Sequence, residues 1–372
     1  MKIKLSIRKK VSMISFRSGS AGYLLAFTAA LPLSLVAISA SAEEASYPQI
    51  TGELSVEIEN DWTYQSEDPS TEINDLYPTV VLGTNVALSE VFSLNFEATL
   101  EPVKDATSDR AFEDLGGYLN IITANYDGET LSAYAGKFTP NFGIAWDIAP
   151  GIFGTNLNED YELAEMIGFG GGFSFDALGE HTISASTFFQ DTSFLSNSVG
   201  TKRGPLRLSD GGVANTEDFS SFAVALDGNF QQLAGFRYHL GFSSLGAGED
   251  GNDRQLGYAV GGEYAFNVGE NVTLSPMAEY VYFDNYGGIN DDTANYFTAG
   301  LAFNYENWVA SSTYQLRDTK VSGVTTDDYV VDLTLGYEFD MGLGVAAAWR
   351  GAEESNVDSE GLGLLLSYAI EF

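Results

Sequence analysis

Residues 92–101, FSLNFEATLE, alternate without a break. Phe92, Leu94, Phe96, Ala98 and Leu100 fall on one side, and Ser93, Asn95, Glu97, Thr99 and Glu101 on the other. VVDLTLGYEF repeats the pattern, with Val331, Leu333, Leu335, Tyr337 and Phe339 set against Asp332, Thr334, Gly336 and Glu338. A period of two is the pleat of a strand with one apolar and one polar face. About sixteen segments read this way. They lie near 50–64, 75–88, 92–103, 112–125, 130–138, 161–175, 181–191, 218–228, 234–245, 255–267, 272–284, 294–305, 308–317, 328–339, 343–351 and 360–372.

The length of the segments narrows the fold class further. Strands of soluble sandwiches average about five or six residues, whereas a tilted strand crossing a bilayer needs about nine to eleven. Most of these segments belong to the longer class. Their connections also alternate. SEV (89–91), DGE (127–129), EN (306–307) and MG (341–342) are tight turns. The spans 65–74, 104–111, 139–160, 192–217, 246–254, 285–293, 318–327 and 352–359 read as longer polar loops. Short turns at one end and long loops at the other predict an all-β fold: a transmembrane antiparallel β-barrel of about 16 strands. It must close, because an open sheet edge in lipid leaves backbone groups without partners. Phe92, Phe266, Phe303, Tyr305, Tyr337 and Phe339 stand at strand ends beside short turns, as an interfacial aromatic girdle does.

The first 42 residues read differently. Lys2, Lys4, Arg8, Lys9, Lys10 and Arg17 precede an apolar run from Ala21 to Ala40, which closes on Ala40-Ser41-Ala42. Charged, apolar and small residues in that order predict a secretory signal peptide over 1–42, cleaved near Ala42, with a single barrel over 43–372. No later stretch approaches the length of a transmembrane helix. The chain has no cysteine, so an exported form does not rely on disulfides. Its formal charge is −35, and six of its 17 bases lie in the leader. The remainder is therefore more acidic still, which argues against nucleic acid as a partner.

With these features the chain resembles the Gram-negative general porins. The likeness rests on the leader, the strand count, the terminal aromatic and the third long connection, TPNFGIAWDIAPGIFGTNLNED (139–160). The resemblance implies that this connection folds into the barrel and narrows it. Phe142, Trp146 and Phe153 are then the apolar residues packed on the inner wall, and Asp147, Glu159 and Asp160 project into the passage. It implies passive diffusion of small hydrophilic solutes or ions in the outer membrane, without enzymatic activity, cofactor or metal. Homotrimers are implied too, with Gly116, Gly117 and Gly136 as small-residue approach surfaces. A substrate-specific channel, or a structural or adhesive surface barrel with no open pore, remains open beside this reading.

Alternation assigns the charges of the lumen. Glu57, Glu97, Glu101, Glu263, Glu279, Asp332, Arg237, Arg317 and Arg350 fall on polar faces. Lys137 is assigned inward because charge on the lipid face costs about 2–4 kcal/mol at mid-bilayer. An excess of carboxylates predicts weak cation preference if they line the lumen; the alternative is that most sit at the rims and bridge metal ions or lipid head groups. The chain departs from the general-porin pattern in one respect. The basic cluster of the early strands is missing, since Lys104 and Arg110 are the only bases between the leader and Lys137.

Catalytic signals are weak. Two histidines are present, His181 and His239, and neither heads a His-x-Ser sequence. His239 reads as a wetted lumen residue. GAGEDGNDR (246–254) departs from the calcium-loop spacing. Lys202, Arg203 and Arg207 form a basic cluster in loop 192–217. At the C-terminus, Leu364, Leu366, Tyr368, Ile370 and Phe372 share one face, and inward Leu365 breaks the pattern. By resemblance, Tyr368, Ile370 and Phe372 form the signal read by the barrel-assembly machinery, and the last strand closes on the first.

Overall fold

The alternating segments become sixteen long strands that close into a ring. The computed structural model describes residues 46–269 and 271–372, so the leader expected over 1–42 lies outside the described residues. The first half holds β1 (Gln49–Ser66), β2 (Asn74–Ala87), β3 (Phe92–Pro102), β4 (Leu115–Asp127), β5 (Leu131–Phe138), β6 (Met166–Asp176), β7 (Glu180–Gln190) and β8 (Ser221–Asn229). The second half holds β9 (Phe236–Leu245), β10 (Gln255–Tyr264), β11 (Val272–Asp284), β12 (Thr293–Tyr305), β13 (Trp308–Val321), β14 (Val324–Glu338), β15 (Leu343–Glu354) and β16 (Val357–Glu371). Phe266–Asn267 continues β10 past Ala265.

Each strand pairs antiparallel with the next, and β16 returns to β1 from Glu53↔Glu371 to Ser66↔Ser359. The terminal residue takes part in the closure. Phe372 N donates to Gly52 O at 3.0 Å, and Gly52 N donates to Phe372 O at 2.9 Å. The outer face is apolar and exposed, with Leu82, Phe96, Leu100, Val260, Leu301, Leu333, Leu335 and Leu364 among its residues. In water such a continuous surface drives aggregation, whereas facing lipid it is the stable arrangement. Aromatics gather outward at the short-turn end, where Phe92 meets Tyr126 and Tyr337 touches both Trp308 and Phe339.

Two expected long loops prove to be strand. Residues 318–327 and 352–359 extend β13 into β14 and β15 into β16, leaving the turns Ser322-Gly323 and Ser355-Asn356. All four turn residues have positive φ (54°, 80°, 56° and 63°), the geometry that matches the twist of a hairpin. Alternation fails to reveal these extensions because both faces carry polar residues there. The segment after β5 is longer than expected. It runs from 139 to 165, since Glu165 adopts φ 58° and β6 starts only at Met166.

Strand β5 has only 8 residues and covers β4 from Ile122 to Asp127. The rest of the β4 edge is met by the segment between β7 and β8. There Val199 pairs with Gly117, Gly200 pairs with Gly116, and Thr201 N donates to Leu115 O at 2.9 Å. The main buried core lies inside the ring. Phe142 and Tyr161 of segment 139–165 pack with Phe138, Phe188, Val281, Phe283 and Tyr296 from the inner faces of the strands.

Candidate functional site

Segment 139–165 contains two apolar stretches separated by Pro150-Gly151 and cannot lie solvated. Phe142 is 0% exposed, and Ile152, Phe153 and Leu157 are also buried. Each such side chain removed from water contributes roughly 1.5–3 kcal/mol, which offsets the entropy of ordering the segment. The wall is shaped to receive it. A Cβ on Gly257 would come within 2.8 Å of Phe142, one on Gly300 within 2.6 Å of Pro150, and one on Gly363 within 2.9 Å of Ile152 and Phe153. All three glycines stand on the inner face.

The backbone of the segment is held by wall side chains in sequence. Asn141 Nδ2 donates to Asp227 Oδ2 at 2.7 Å, and Gly143 N to His239 Nε2 at 3.0 Å. Ile144 N and Ala145 N donate to the two oxygens of Glu279 at 2.6 and 2.9 Å, and Tyr161 Oη adds a third bond at 2.7 Å. Thr313 donates to Pro150 O. Ile152 N and Phe153 N donate to Thr334 Oγ1 and Asp332 Oδ2 at 3.0 and 3.1 Å. Gln315 accepts from Leu157 N and donates to Phe153 O, both at 2.8 Å. Thr298 Oγ1 donates to Asn158 Oδ1 at 2.7 Å. These anchors come from β8, β9, β11, β12, β13 and β14. Burial and the neighbouring Glu279 carboxylate push the Tyr161 phenol well above its usual range, so it stays a donor.

The residues assigned from sequence divide into several groups. Phe142 and Phe153 are seated on the wall, and the Trp146 indole donates to Phe142 O and Gly143 O at 3.1 Å each. Asp147 is half-buried in a helical turn, α1 (Ala145–Ile148), and Glu159 accepts from Thr155 Oγ1 at 3.0 Å. Asp160, expected to project into the passage, is bound to the wall. It accepts from Arg317 Nη1 at 2.6 Å and Tyr296 Oη at 3.1 Å. Arg317 also holds Asp328 at 2.6 Å.

Glu279 and Asp332 stand inward but beneath the segment, 2% and 0% exposed. They serve as anchors and are not open to the barrel interior. Glu97 accepts from Asn120 at 2.8 Å, and Glu101 accepts from Tyr118, both in buried positions. Glu57 is half-buried on the inner face of β1. Arg237 pairs with Glu263 directly across β9–β10, and Arg350 pairs with Glu354.

Lys137 corrects its assignment. Register sets it across from Ile122 and Ile167, on the side of Leu131, Ala133 and Ala135, yet it is only 3% exposed. Segment 191–220 covers it. Its ammonium lies 2.8 Å from both Glu165 and Asp191, and Arg203 grips Glu165 with two bonds, at 2.9 and 2.6 Å. The Arg203 guanidinium also lies 4.0 Å from the Tyr118 ring centroid. The cation thus resides in the barrel wall, where acids compensate it.

Sequence reasoning passed over Asp227, Gln315 and the seat glycines, and it read His239 as a wetted lumen residue. His239 is not wetted but 1% exposed, and it is bound on both ring nitrogens. The signal for the seats was present: inward glycines in long strands, opposite an apolar loop. Among the described residues, no group of three or more His, Cys, Asp or Glu is placed to hold a metal ion.

No family model matches the chain, and no curated protein matches it in sequence. Solved structures match it along its length. OmpF of Salmonella typhi, in complex with daunomycin, aligns at TM-score 0.56 and 13% identity, covering 87% of this chain and 98% of that one. OpdK of Pseudomonas aeruginosa, with vanillate, aligns at 0.54 and 10%, covering 87% and 99%. OmpT of Vibrio cholerae, in its trimer form, aligns at 0.51 and 12%, covering 87% and 99%. Sixteen antiparallel strands closed by β16 on β1, with the segment after β5 laid against the inner wall, have the fold of the Gram-negative outer-membrane porins.

Proposed function

We propose that the chain is an outer-membrane channel for passive diffusion of small hydrophilic solutes, weakly selective for cations and narrowed by segment 139–165. One observation carries the reading. The segment is fastened along six wall strands by inward side chains, a fixed arrangement that leaves the opposite wall, β1 to β3, facing it. That opposite wall carries Glu57 and Asp61, both half-buried, on its inner face. Carboxylates lining a passage attract cations and repel anions.

OmpF and the vanillate-bound OpdK fit the chain about equally, so the side chains must separate a general from a substrate-specific channel. Arg110 pairs with Asp75, Arg237 with Glu263, Arg317 with Asp160 and Asp328, and Arg350 with Glu354. Each of these bases is charge-compensated, which disfavours a row of arginines guiding an anionic solute. Homotrimers, lipid contact along the apolar outer face, and recognition of Tyr368, Ile370 and Phe372 by the assembly machinery belong to the same proposal.

Planar-bilayer recordings under a salt gradient test it. Steady openings with a reversal potential of the cation-selective sign are expected. Block by a single solute favours a specific channel. Absence of conductance from folded, inserted protein sinks both and leaves a closed surface barrel.

A further inference from the structure

The barrel wall departs from strand-to-strand pairing beside the long-loop half of β4. β5 covers β4 only from Ile122 to Asp127. Beyond it, Val199 and Gly200 pair with Gly117 and Gly116, and residues 191–204 stand where a strand would be. One of these two pairs is glycine on glycine, so it adds no side-chain contact across the strands. The residues from Ser196 to Arg203 bind one another. Arg203 Nε donates to Ser196 O at 2.7 Å, Arg203 N to Ser198 Oγ at 2.9 Å, and Ser198 Oγ to Thr201 O at 2.6 Å. They form a compact strap, followed by Gly204, Gly211 and Gly212, all at positive φ. A Cβ on Gly204 or Gly212 would meet nothing within 4 Å, so these two hinge positions are uncrowded.

The strap is the full thickness of the wall here. Arg203 lies on the ring of Tyr118, an inner-face residue opposite Thr99. Through Glu165 it reaches Lys137, which stands on the lipid side of β5. Phe194 and Val199, 84% and 70% exposed, complete the outer surface. The strap is fastened by four charges, Lys137, Arg203, Glu165 and Asp191, which cancel in sum. Apolar packing would seal such a position more firmly than ions, which lose their hydration on burial. Charged side chains held within a membrane wall are a mark of function. Gly116 is part of the same fit. A Cβ there would come within 2.7 Å of Thr201 O, so the closed strap requires glycine at this position.

We propose that residues 191–204 are a strap over a lateral opening from the barrel interior to the outer leaflet, and that the opening takes a cationic amphiphile, head inside and tail in lipid. The inner side specifies the head. Glu101 accepts from Tyr118 beside the opening, and Glu97 follows on the same face of β3. Carboxylates there attract an ammonium group. The lipid side specifies the tail, since outward Leu100, opposite Gly117, and Ile122, opposite Lys137, border the opening. When the strap turns on its glycines, the ion cluster parts and its charges are rehydrated at the long-loop end. The route through the interior rests on the channel reading given above, whereas the opening itself does not.

The chain has no cysteine, so one engineered disulfide can lock the strap. Gly117 and Val199 are direct partners, and a Cβ on Gly117 would meet Val199 Cγ2 at 3.4 Å, an ordinary contact. The double variant Gly117→Cys, Val199→Cys is compared oxidised and reduced, so both forms are the same folded chain. Hydrogen exchange of the peptide covering 115–121 should be about tenfold slower when oxidised, because local opening is blocked. It should be faster than wild type in Gly116→Ala, whose Cβ pushes Thr201 away. In planar bilayers, hexyl-, octyl- and decyltrimethylammonium should block the reduced channel for times that lengthen with the tail. The limit is about fourfold per methylene, the gain from burying one CH₂. The oxidised channel should show the same short block for all three. Equal exchange in both redox forms overturns the strap. Block times independent of tail length in the reduced channel overturn the lateral opening. So does a length dependence that survives oxidation, which places the tail inside the barrel. Exchange that responds to oxidation in a protein without conductance upholds the strap and overturns the channel reading.

Discussion

Leu365 shows how single positions acquire their meaning. It is the inward leucine of β16 and contradicts the polar-inside alternation of its neighbours. In the fold it packs against the cluster of Ile152, Phe153 and Ala348, beside the seat at Gly363. Its side chain belongs to a core located inside the barrel. Leu365→Ser should lower stability by about 1–2 kcal/mol, seen as a lower denaturant midpoint with unchanged slope. Glu279 is the stronger case. Glu279→Ala leaves the amides of Ile144 and Ala145 and the Tyr161 hydroxyl buried without their acceptor. A cost of roughly 2–4 kcal/mol follows, since buried donors without partners are penalised individually. The same variant should show noisier conductance, and steady openings of wild-type character would count against Glu279 as an anchor.

At the scale of elements, the strands were legible and some of their connections were not. Period-two alternation located all sixteen strands, because each has one apolar and one polar face. It stopped short in the hairpins β13–β14 and β15–β16, where both faces are polar. It placed the end of β5 correctly at 138, but gave no indication that the β4 edge beyond it pairs with Val199-Gly200. That repair depends on Lys137, Glu165, Asp191 and Arg203, which lie far apart in the chain and meet only in the wall. Removing one partner of a buried ion pair is costly because the other charge remains. Arg203→Ala should therefore destabilise by about 3 kcal/mol and open segment 191–220 to protease while the strands stay protected. Cleavage there at the wild-type rate would show that the ion cluster does not hold the segment. At the tip of β13–β14, Gly323 has φ 80°, which a branched residue adopts only with strain. Gly323→Val should cost about 1–2 kcal/mol locally, visible as faster proteolysis of that hairpin alone.

For the whole molecule, closure governs. The seam runs from Glu53↔Glu371 to Ser66↔Ser359, and Phe372 adds two backbone bonds to Gly52 beyond it. Gly52 has no side chain, and a Cβ there would come within 2.6 Å of the Phe372 ring. Deleting Phe372 should reduce the folded fraction, scored as the heat-modifiable band on a gel, and leave the barrel that does fold close to wild-type in melting. Gly52→Val should strain the β1–β2 pairing, since its Cβ would also meet Gly83 O at 2.4 Å, as well as displace the ring. Assembly unchanged by the deletion would count against the proposed role of Phe372 in an assembly signal.

The sequence by itself determined the class of fold, since long two-faced strands with alternating short and long connections have one stable outcome in lipid, a closed barrel. Parity along a strand is local information, and it served to assign inward charges, although Lys137 falls on the outward side of β5. Only the tertiary structure decided what those charges do. Glu279, Asp332 and His239 face inward like Glu57, yet they lie beneath a segment more than sixty residues away in the chain. Asp160 and Arg317 were each assigned to the interior, and they neutralise each other there. Whether an inward carboxylate lines the open interior or anchors a backbone amide depends on contacts across the barrel, which no periodicity along the chain encodes.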